Sequence, residues 1–278
     1  MKISVVTVCR NASDTIEDTI HSVKAQTYRD IEHLIVDGAS TDGTIDVVRA
    51  NAWPGLRWFS EPDTGLYDAM NKGLARATGD VIGFLNADDF FADQDVVTGI
   101  ANVLERSQTT FCFGDLVIVS RHDLSKVRRF YDASGFRKWH VRIGDMPPHP
   151  TIYVRTTALR SWGQFNTRFN IAGDFDLLSR GLYHHDTTFV HIPKTMVILR
   201  DGGVSTQGLK STLRINREIA QSLHINQIGS APPLLWVRYL YKVWQLVKRP
   251  NDLNLQQSVD FEALPTAKSK PGTGQPSS

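Results

Sequence analysis

Over residues 1–90, short apolar runs alternate with segments of helical period, and this alternation most constrains what the chain can fold into. The apolar runs 3–8, 33–36, 56–59 and 81–85 each break into polar, turn-rich sequence. Those breaks are Arg10-Asn11, the stretch 37–44 (DGASTDGT), the stretch 61–65 (EPDTG) and the stretch 86–89 (NADD). Asn11, Ser13 and Asp14 offer caps to a first helix reaching about Gln26, with Ile16, Ile20 and Val23 on one face. A second helix carries Ile45, Val47 and Val48, and a third covers 66–77. Strand–helix repeats with such short connections predict a parallel, doubly wound sheet. The run 81–85 has the bulk of a strand buried on both faces. Sheets of this kind bind ligands outside the carboxyl ends of their strands. Here those ends carry Arg10, Asp37, Asp63 and Asp88.

The chemistry at those ends is that of a nucleotide and a cation. Asp88 and Asp89 are adjacent carboxylates, costly to desolvate unless something cationic faces them. A hard divalent ion bridging substrate phosphates would serve; a plain turn after a strand is the other reading. Asp37 can accept hydrogen bonds from a base or ribose, as acidic residues do in other nucleotide folds. Neither G-x-G-x-x-G nor G-x-x-x-x-G-K-[ST] occurs, so dinucleotide and P-loop readings lose their support. The chain has 278 residues and a formal charge of +2, which gives no global grip on nucleic acid. Cys9 and Cys112 lack metal-ligand spacing and sit in apolar runs, as buried free thiols of a reducing compartment do. The N-terminal apolar run stops at Arg10, too short for a signal peptide, and no run reaches the ~18 apolar residues of a membrane span. A soluble cytoplasmic protein is the expectation.

The second half changes character. Residues 111–119 read as a strand interrupted by Asp115. Residues 120–145 mix Arg121, Lys126, Arg128, Arg129, Arg137 and Lys138 with Phe130, Tyr131, Phe136 and Trp139. Single-stranded nucleic-acid grooves show that mixture, but in a nearly neutral chain a loop lining a sugar-acceptor groove is preferred. A rigid connector, 146–150 (MPPHP), carries His149. Gly173 and Asp174 open a helix with Leu177, Leu178 and Leu182 inward, and Asp174 reads locally as its N-cap. Two short strands are expected around Pro193, then a flexible loop at 202–205 (GGVS) and a helix over 209–223. The stretch 234–249 is a basic amphipathic helix suited to a membrane interface or to packing on protein. Residues 250–278 lack a core pattern and are expected to be a disordered tail.

The segments 5–12 (VVTVCRNA), 36–44 (VDGASTDGT), 61–80 (EPDTGLYDAMNKGLARATGD) and 84–89 (FLNADD) together resemble the nucleotide-sugar-binding half of family 2, A-type-fold inverting glycosyltransferases. The stretch DTGLYDAMNKG is similar to the subgroup of bacterial exopolysaccharide and colanic-acid-type transferases. With the later motif, the resemblance covers about residues 1–205. It implies an α/β nucleotide-diphospho-sugar transferase fold, a mostly parallel sheet flanked by helices. The glycosyltransferase domain would span 1–230, with a nucleotide-sugar half at about 1–110 and an acceptor half at 111–205.

By this resemblance Asp37 contacts the base or ribose, Thr7 lines that pocket, and Arg10 and Asp63 join the nucleotide-binding set. Asp88 takes the last position of the D-x-D motif, ligand to Mn²⁺ or Mg²⁺ and to the diphosphate. Asn86 stands where many members have Asp, and Asp89 is a further ligand or a support behind one. Asn71 and Lys72 fall on an Asn-Lys pair, with Lys72 reaching phosphate or lying on an exposed helix face. His149 approaches the diphosphate or the acceptor. The segment 173–180 (GDFDLLSR) resembles the family's "ED" motif with Gly173 in place of Glu, so Asp174 is the general base and Asp176 its neighbour. The implied reaction is metal-dependent inverting transfer from a nucleotide-diphosphate sugar, UDP favoured, to a lipid-linked glycan at the cytoplasmic face of a bacterial membrane. A processive synthase is disfavoured without Q-x-x-R-W. A nucleotidyltransferase would want a Gly-rich basic loop where CRNASDT stands. The departures at Asn86 and Gly173 leave a catalytically degenerate assembly partner as the non-enzymatic alternative.

Overall fold

The computed structural model describes residues 1–202 and 208–229. The remainder of the glycine loop, the amphipathic stretch 234–249 and the tail lie outside the described residues. The first four strands are β1 (Ile3–Cys9), β2 (Ile31–Asp37), β3 (Leu56–Ser60) and β4 (Val81–Phe84), joined through α1 (Ile16–Lys24), α2 (Thr44–Ala50) and α3 (Leu66–Arg76). All neighbours among them are parallel, with β1 in the middle, β2 on one side and β4 on the other. The strand order 3-2-1-4 therefore reverses at β1, which places a crevice beyond the ends of β1 and β4. Both strands are buried along their whole length, which explains their uninterrupted apolar sequence.

Beyond β4 the sheet becomes mixed. After β5 (Phe90–Phe91) and α4 (Val96–Arg106) come β6 (Phe111–Ser120) and β7 (Asp123–Tyr131), then β8 (Tyr153–Arg155), α5 (Thr156–Trp162), α6 (Gly173–His184), β9 (Phe189–Arg200) and α7 (Gly208–Ile225). β8 runs antiparallel between β4 and β6, while β9 lies parallel to β6 and carries β5 on its far edge. Gly83 on β4 permits this seam, because a Cβ there would lie 2.3 Å from the Tyr153 ring.

Two local expectations change. The basic stretch after residue 120 forms a hairpin strand, β7, against β6, with its cations at Lys126 and Arg128 turned to solvent. The two short strands expected around Pro193 are one strand, whose pairing with β6 shifts register between Phe113 and Asp115. Proline lacks a ladder donor, and an irregularity in pairing accommodates it. Asp115 at that shift accepts the Ala133 N–H and a bond from His191 Nε2, both at 2.9 Å.

Side chains alternate between two cores, as strand period 2 requires. On one face Val6, Val8, Leu34, Ile82 and Phe84 meet Met70 and Leu74 of α3, Trp162 of α5, Phe165 of the loop after it, and Phe175 and Leu178 of α6. On the other, Ile3, Val5, Val81 and Tyr153 meet Val97, Ile100 and Leu104 of α4. Both cysteines are buried and free.

Candidate active site

The strand ends meet as the parallel topology demands. Gly38, just past β2, sits so close to the 61–65 loop that a Cβ there would lie 2.1 Å from Asp63 Oδ2 and 3.5 Å from Arg10 Cδ. Arg10 is exposed and Asp63 half-buried, with Asp63 Oδ1 accepting the Gly65 N–H at 2.9 Å. The neighbouring turn is wired by Asp42, which accepts the Ser13 and Thr44 N–H groups at 3.1 Å and holds α2 against the end of β1. Burial pushes the Cys9 thiol up, and the nearby charges of Asp37, Asp42 and Asp63 push it the same way. This side of the crevice is thus electronegative.

Several expected contacts are already engaged within the protein. Asp37 is fully buried, accepting the Ser60 hydroxyl at 2.6 Å, the Ser40 N–H at 3.0 Å and the Ser40 hydroxyl. Thr7, expected to line the base pocket, is instead buried within β1, with its hydroxyl 3.0 Å from His33 Nε2. Asn71 clamps Phe165: it donates to the Phe165 carbonyl at 2.9 Å and accepts the Phe165 N–H at 2.8 Å. Lys72 donates to the Pro62 carbonyl at 2.6 Å and lies 3.4 Å from both Glu61 and Asp68, so it ties down the 61–65 loop.

The turn after β4 divides its residues between support and function. Asn86 donates to Asp89 Oδ2 at 2.7 Å. Asp89 is 1 % exposed, its Oδ1 has no partner among the described residues, and burial, helped by the charge of Asp88, raises its carboxyl well above the usual range. Asp88 alone of the three turns a carboxylate outward, with Oδ2 3.2 Å from Arg121 Nη2. Arg200, at the end of β9 and 5 % exposed, donates to the Asp88 carbonyl at 2.7 Å and pairs with Asp18 at 2.5 Å. Arg121 and Arg200 went unassigned in the sequence because neither belongs to a local motif; the parallel β6–β9 pair brings both strand ends here.

No cluster of three or more His, Cys, Asp or Glu side chains arranged to hold a metal occurs among the described residues. A divalent ion at Asp88 would take one protein carboxylate and fill its shell with diphosphate oxygens and water. Mg²⁺ and Mn²⁺ accept such a donor set, so the residues fit.

Asp174 stands at the other wall. α6 is capped at Ala172 rather than at Asp174, which occupies the first turn and is half-buried. Asp174 Oδ1 accepts the Phe175 N–H at 2.8 Å and lies 3.3 Å from the Tyr67 hydroxyl. The orphan donors before the helix go to Glu218 of α7, which accepts the N–H groups of Ile171 at 2.9 Å and Ala172 at 3.0 Å. Gly173 lacks the carboxylate of the related motif for a steric reason: a Cβ there would lie 2.7 Å from the Tyr67 ring. Asp176 is not a spectator, since it accepts bonds from Arg180 at 3.2 Å, Ser222 at 2.9 Å and Asn226 at 2.8 Å and joins α6 to α7.

His149 stacks on Phe84 at 5.7 Å and meets Phe165 edge-on at 6.1 Å. Burial lowers its imidazole pKa and the charge of Asp174 opposes that, so neutral imidazole is favoured. Asp174 and His149 share an apolar-walled cavity of about 30 Å³ with Phe84 and Leu178. That volume suits about one water and is too small for a sugar.

The glycosyl transferase family 2 model matches residues 4–162. An uncharacterized glycosyltransferase of Mycobacterium tuberculosis is 34% identical over 183 residues, covering 64% of this chain and 68% of that one. A PGL/p-HBAD biosynthesis glycosyltransferase of Mycobacterium bovis is 28% identical over 177 residues, covering 62% and 66%. Among solved structures, Staphylococcus aureus TarS 1–349 in complex with UDP-GlcNAc superposes with a TM-score of 0.65 at 17% identity, over 80% of this chain and 66% of that one. A Pyrobaculum calidifontis mannosyltransferase in complex with GDP-Man and Mn²⁺ gives 0.60 at 20% identity, over 84% and 66%. The chain thus spans about two thirds of the length of the proteins it matches. With its A-type nucleotide-sugar transferase fold, it belongs to glycosyl transferase family 2.

Proposed function

We propose that this glycosyltransferase moves a sugar from a nucleotide-diphosphate donor, UDP-linked by preference, to a lipid-linked glycan acceptor in bacterial surface-polysaccharide synthesis, with inversion at the anomeric carbon and with a divalent metal. The observation that carries this reading is a pair of partly exposed carboxylates at this end of β4: Asp88 in the turn that follows the strand, and Asp174, which lines a cavity together with Phe84, the last residue of β4. Charge orients the donor. On the side of β2, half-buried Asp63 with exposed Arg10 beside Gly38 suits the polar groups of a base and ribose. The side bearing Asp88, Arg121 and Arg200 suits a diphosphate with its cation. A bound Mn²⁺ or Mg²⁺ would neutralise the charge building on the leaving diphosphate. Asp174 takes the proton of the acceptor hydroxyl as its oxygen attacks the anomeric carbon, and neutral His149 beside it places no positive charge against that carboxylate. No described helix is long and apolar enough to cross a membrane; a lipid-linked acceptor would bring the enzyme to the cytoplasmic membrane face as a peripheral protein, through the stretch 234–249.

A thermal-shift panel of nucleoside diphosphates with Mn²⁺ or Mg²⁺ tests the donor side, because a ligand of the folded state raises apparent stability by mass action. UDP with metal should give the largest shift, followed by GDP or dTDP, and Asp88→Ala should remove its metal-dependent part. A larger shift from NAD or ATP overturns the donor assignment, and a metal-dependent shift that survives in Asp88→Ala overturns the role of Asp88.

A further inference from the structure

We propose that Tyr67 is a positioning residue for the base, pinning Asp174 Oδ1 so that Oδ2 faces the acceptor hydroxyl. The inference rests on reading Asp174 as the base. Tyr67 lies in the first turn of α3 and is 4 % exposed. Its ring is held by two neighbours. One side stacks on Phe165 at 5.7 Å with an interplanar angle of 16°, and Phe165 is clamped by Asn71 from the same helix. The ring also lies close against Gly173, the residue before the base, where the lack of a Cβ makes room. An aromatic ring gripped this way can place its hydroxyl to within the tolerance that catalysis needs.

That hydroxyl lies 2.5 Å from the Ile171 carbonyl and 3.3 Å from Asp174 Oδ1. Oδ1 also takes the Phe175 N–H, while no described residue donates to Oδ2. Burial, and then the charge of Asp174, push the phenol above its ordinary pKa, so it keeps its proton throughout the working range. One proton faces two acceptors. The Ile171 carbonyl is the nearer acceptor, and while Asp174 is a carboxylate its Oδ1 draws the longer share of the same proton. In the transfer step the acceptor O–H proton passes to Oδ2, the acceptor oxygen bonds the anomeric carbon, and the bond from that carbon to the diphosphate oxygen breaks, its electron pair leaving with the nucleoside diphosphate. Asp174 is then neutral and a poorer acceptor, and the phenol's proton settles wholly on the Ile171 carbonyl it already faces. The buried hydroxyl is satisfied before and after the step, so the proton's arrival strands no donor.

The test compares Tyr67→Phe, Gly173→Ala, their double variant and Asp174→Asn by nucleotide release from UDP-glucose, UDP-N-acetylglucosamine and GDP-mannose with Mn²⁺ and water as acceptor. Crystal structures of wild type and Tyr67→Phe accompany the kinetics. Tyr67→Phe keeps the ring and should lower kcat about tenfold, the worth of one hydrogen bond to a charged group, with donor KM within about twofold. Its Asp174 carboxylate should rotate while the α6 backbone stays in place. Gly173→Ala keeps every hydrogen-bonding group but displaces the ring, so it should cost a similar factor, and the double variant should fall little further. Wild-type kcat and an unmoved carboxylate in Tyr67→Phe, with Asp174→Asn inactive, overturn the positioning role alone. Normal turnover in Asp174→Asn overturns the base reading itself. The crystallographic comparison needs no turnover and decides the geometry by itself.

Discussion

At the scale of single residues, the site separates carboxylates that look alike in sequence. Asp174 is not the N-cap of α6, which is Ala172, and an amide oxygen can keep its bond to the Phe175 N–H. Asp174→Asn should therefore fold and bind UDP with metal as wild type does, while sugar transfer falls ~10²–10⁴-fold, the usual cost of a lost general base. Thermal melting beside a transfer assay checks both halves, and near-normal turnover would return Asp174 to a structural role. Asp176, two residues on, behaves oppositely. Its carboxylate collects Arg180, Ser222 and Asn226 in a dry setting, so Asp176→Asn should cost about 1–3 kcal/mol in urea unfolding. Asp88 and Asp89 divide in the same way: one is paired with Arg121 at the surface, the other buried and held toward its neutral form.

At the scale of elements, the base belongs to a helix whose start is built by another helix. Ala172 and Ile171 have no side-chain cap of their own, and Glu218 of α7 supplies the acceptor. Glu218→Ala leaves these N–H groups without a partner in a largely buried place, at an expected cost of about 1–3 kcal/mol. Because the same turn carries Asp174, transfer should fall by more than donor binding does. Glu218→Gln, which keeps an acceptor oxygen, should recover most of both. Equal loss of transfer and donor affinity in Glu218→Ala would show that α7 supports the fold without steering the base. The 61–65 loop is tied in the same manner, with Lys72 and Arg76 of α3 binding its Glu61 at 3.4 Å and 3.1 Å.

At the scale of the whole molecule, the pH response follows from what the sheet buries. His33 of β2 is fully buried, and burial pushes its imidazole down to about 3 from an ordinary 6.5. The unfolded chain takes up a proton near 6.5 while the folded one does not until about 3. The full contribution of His33 is thus present above the unfolded value and is lost as pH falls. Between roughly pH 7.5 and pH 5 this group should remove about 2 kcal/mol of stability. His33→Gln can keep a bond to Thr7 and cannot titrate, so its unfolding free energy should fall less over that interval; parallel curves for the two proteins would refute the linkage. The same sheet shows how far sequence reaches. Apolar strands, helical period and polar breaks determined the parallel β1–β4 unit, because strand burial and helix amphipathicity are written in local order, and they brought Arg10, Asp37, Asp63 and Asp88 to one edge. The inward leucines of α6 and the buried free cysteines were legible for the same reason. Tertiary structure alone decided that Asn71 clamps Phe165, that Thr7 faces His33, that Asp176 joins two helices, and that Pro193 sits inside one continuous strand. It alone brought Tyr67 beneath Asp174 and set Arg121 and Arg200 around Asp88. These depend on which residues become neighbours across long sequence separations, where packing and the need to satisfy every buried polar group choose the partner, and local pattern carries no record of that choice.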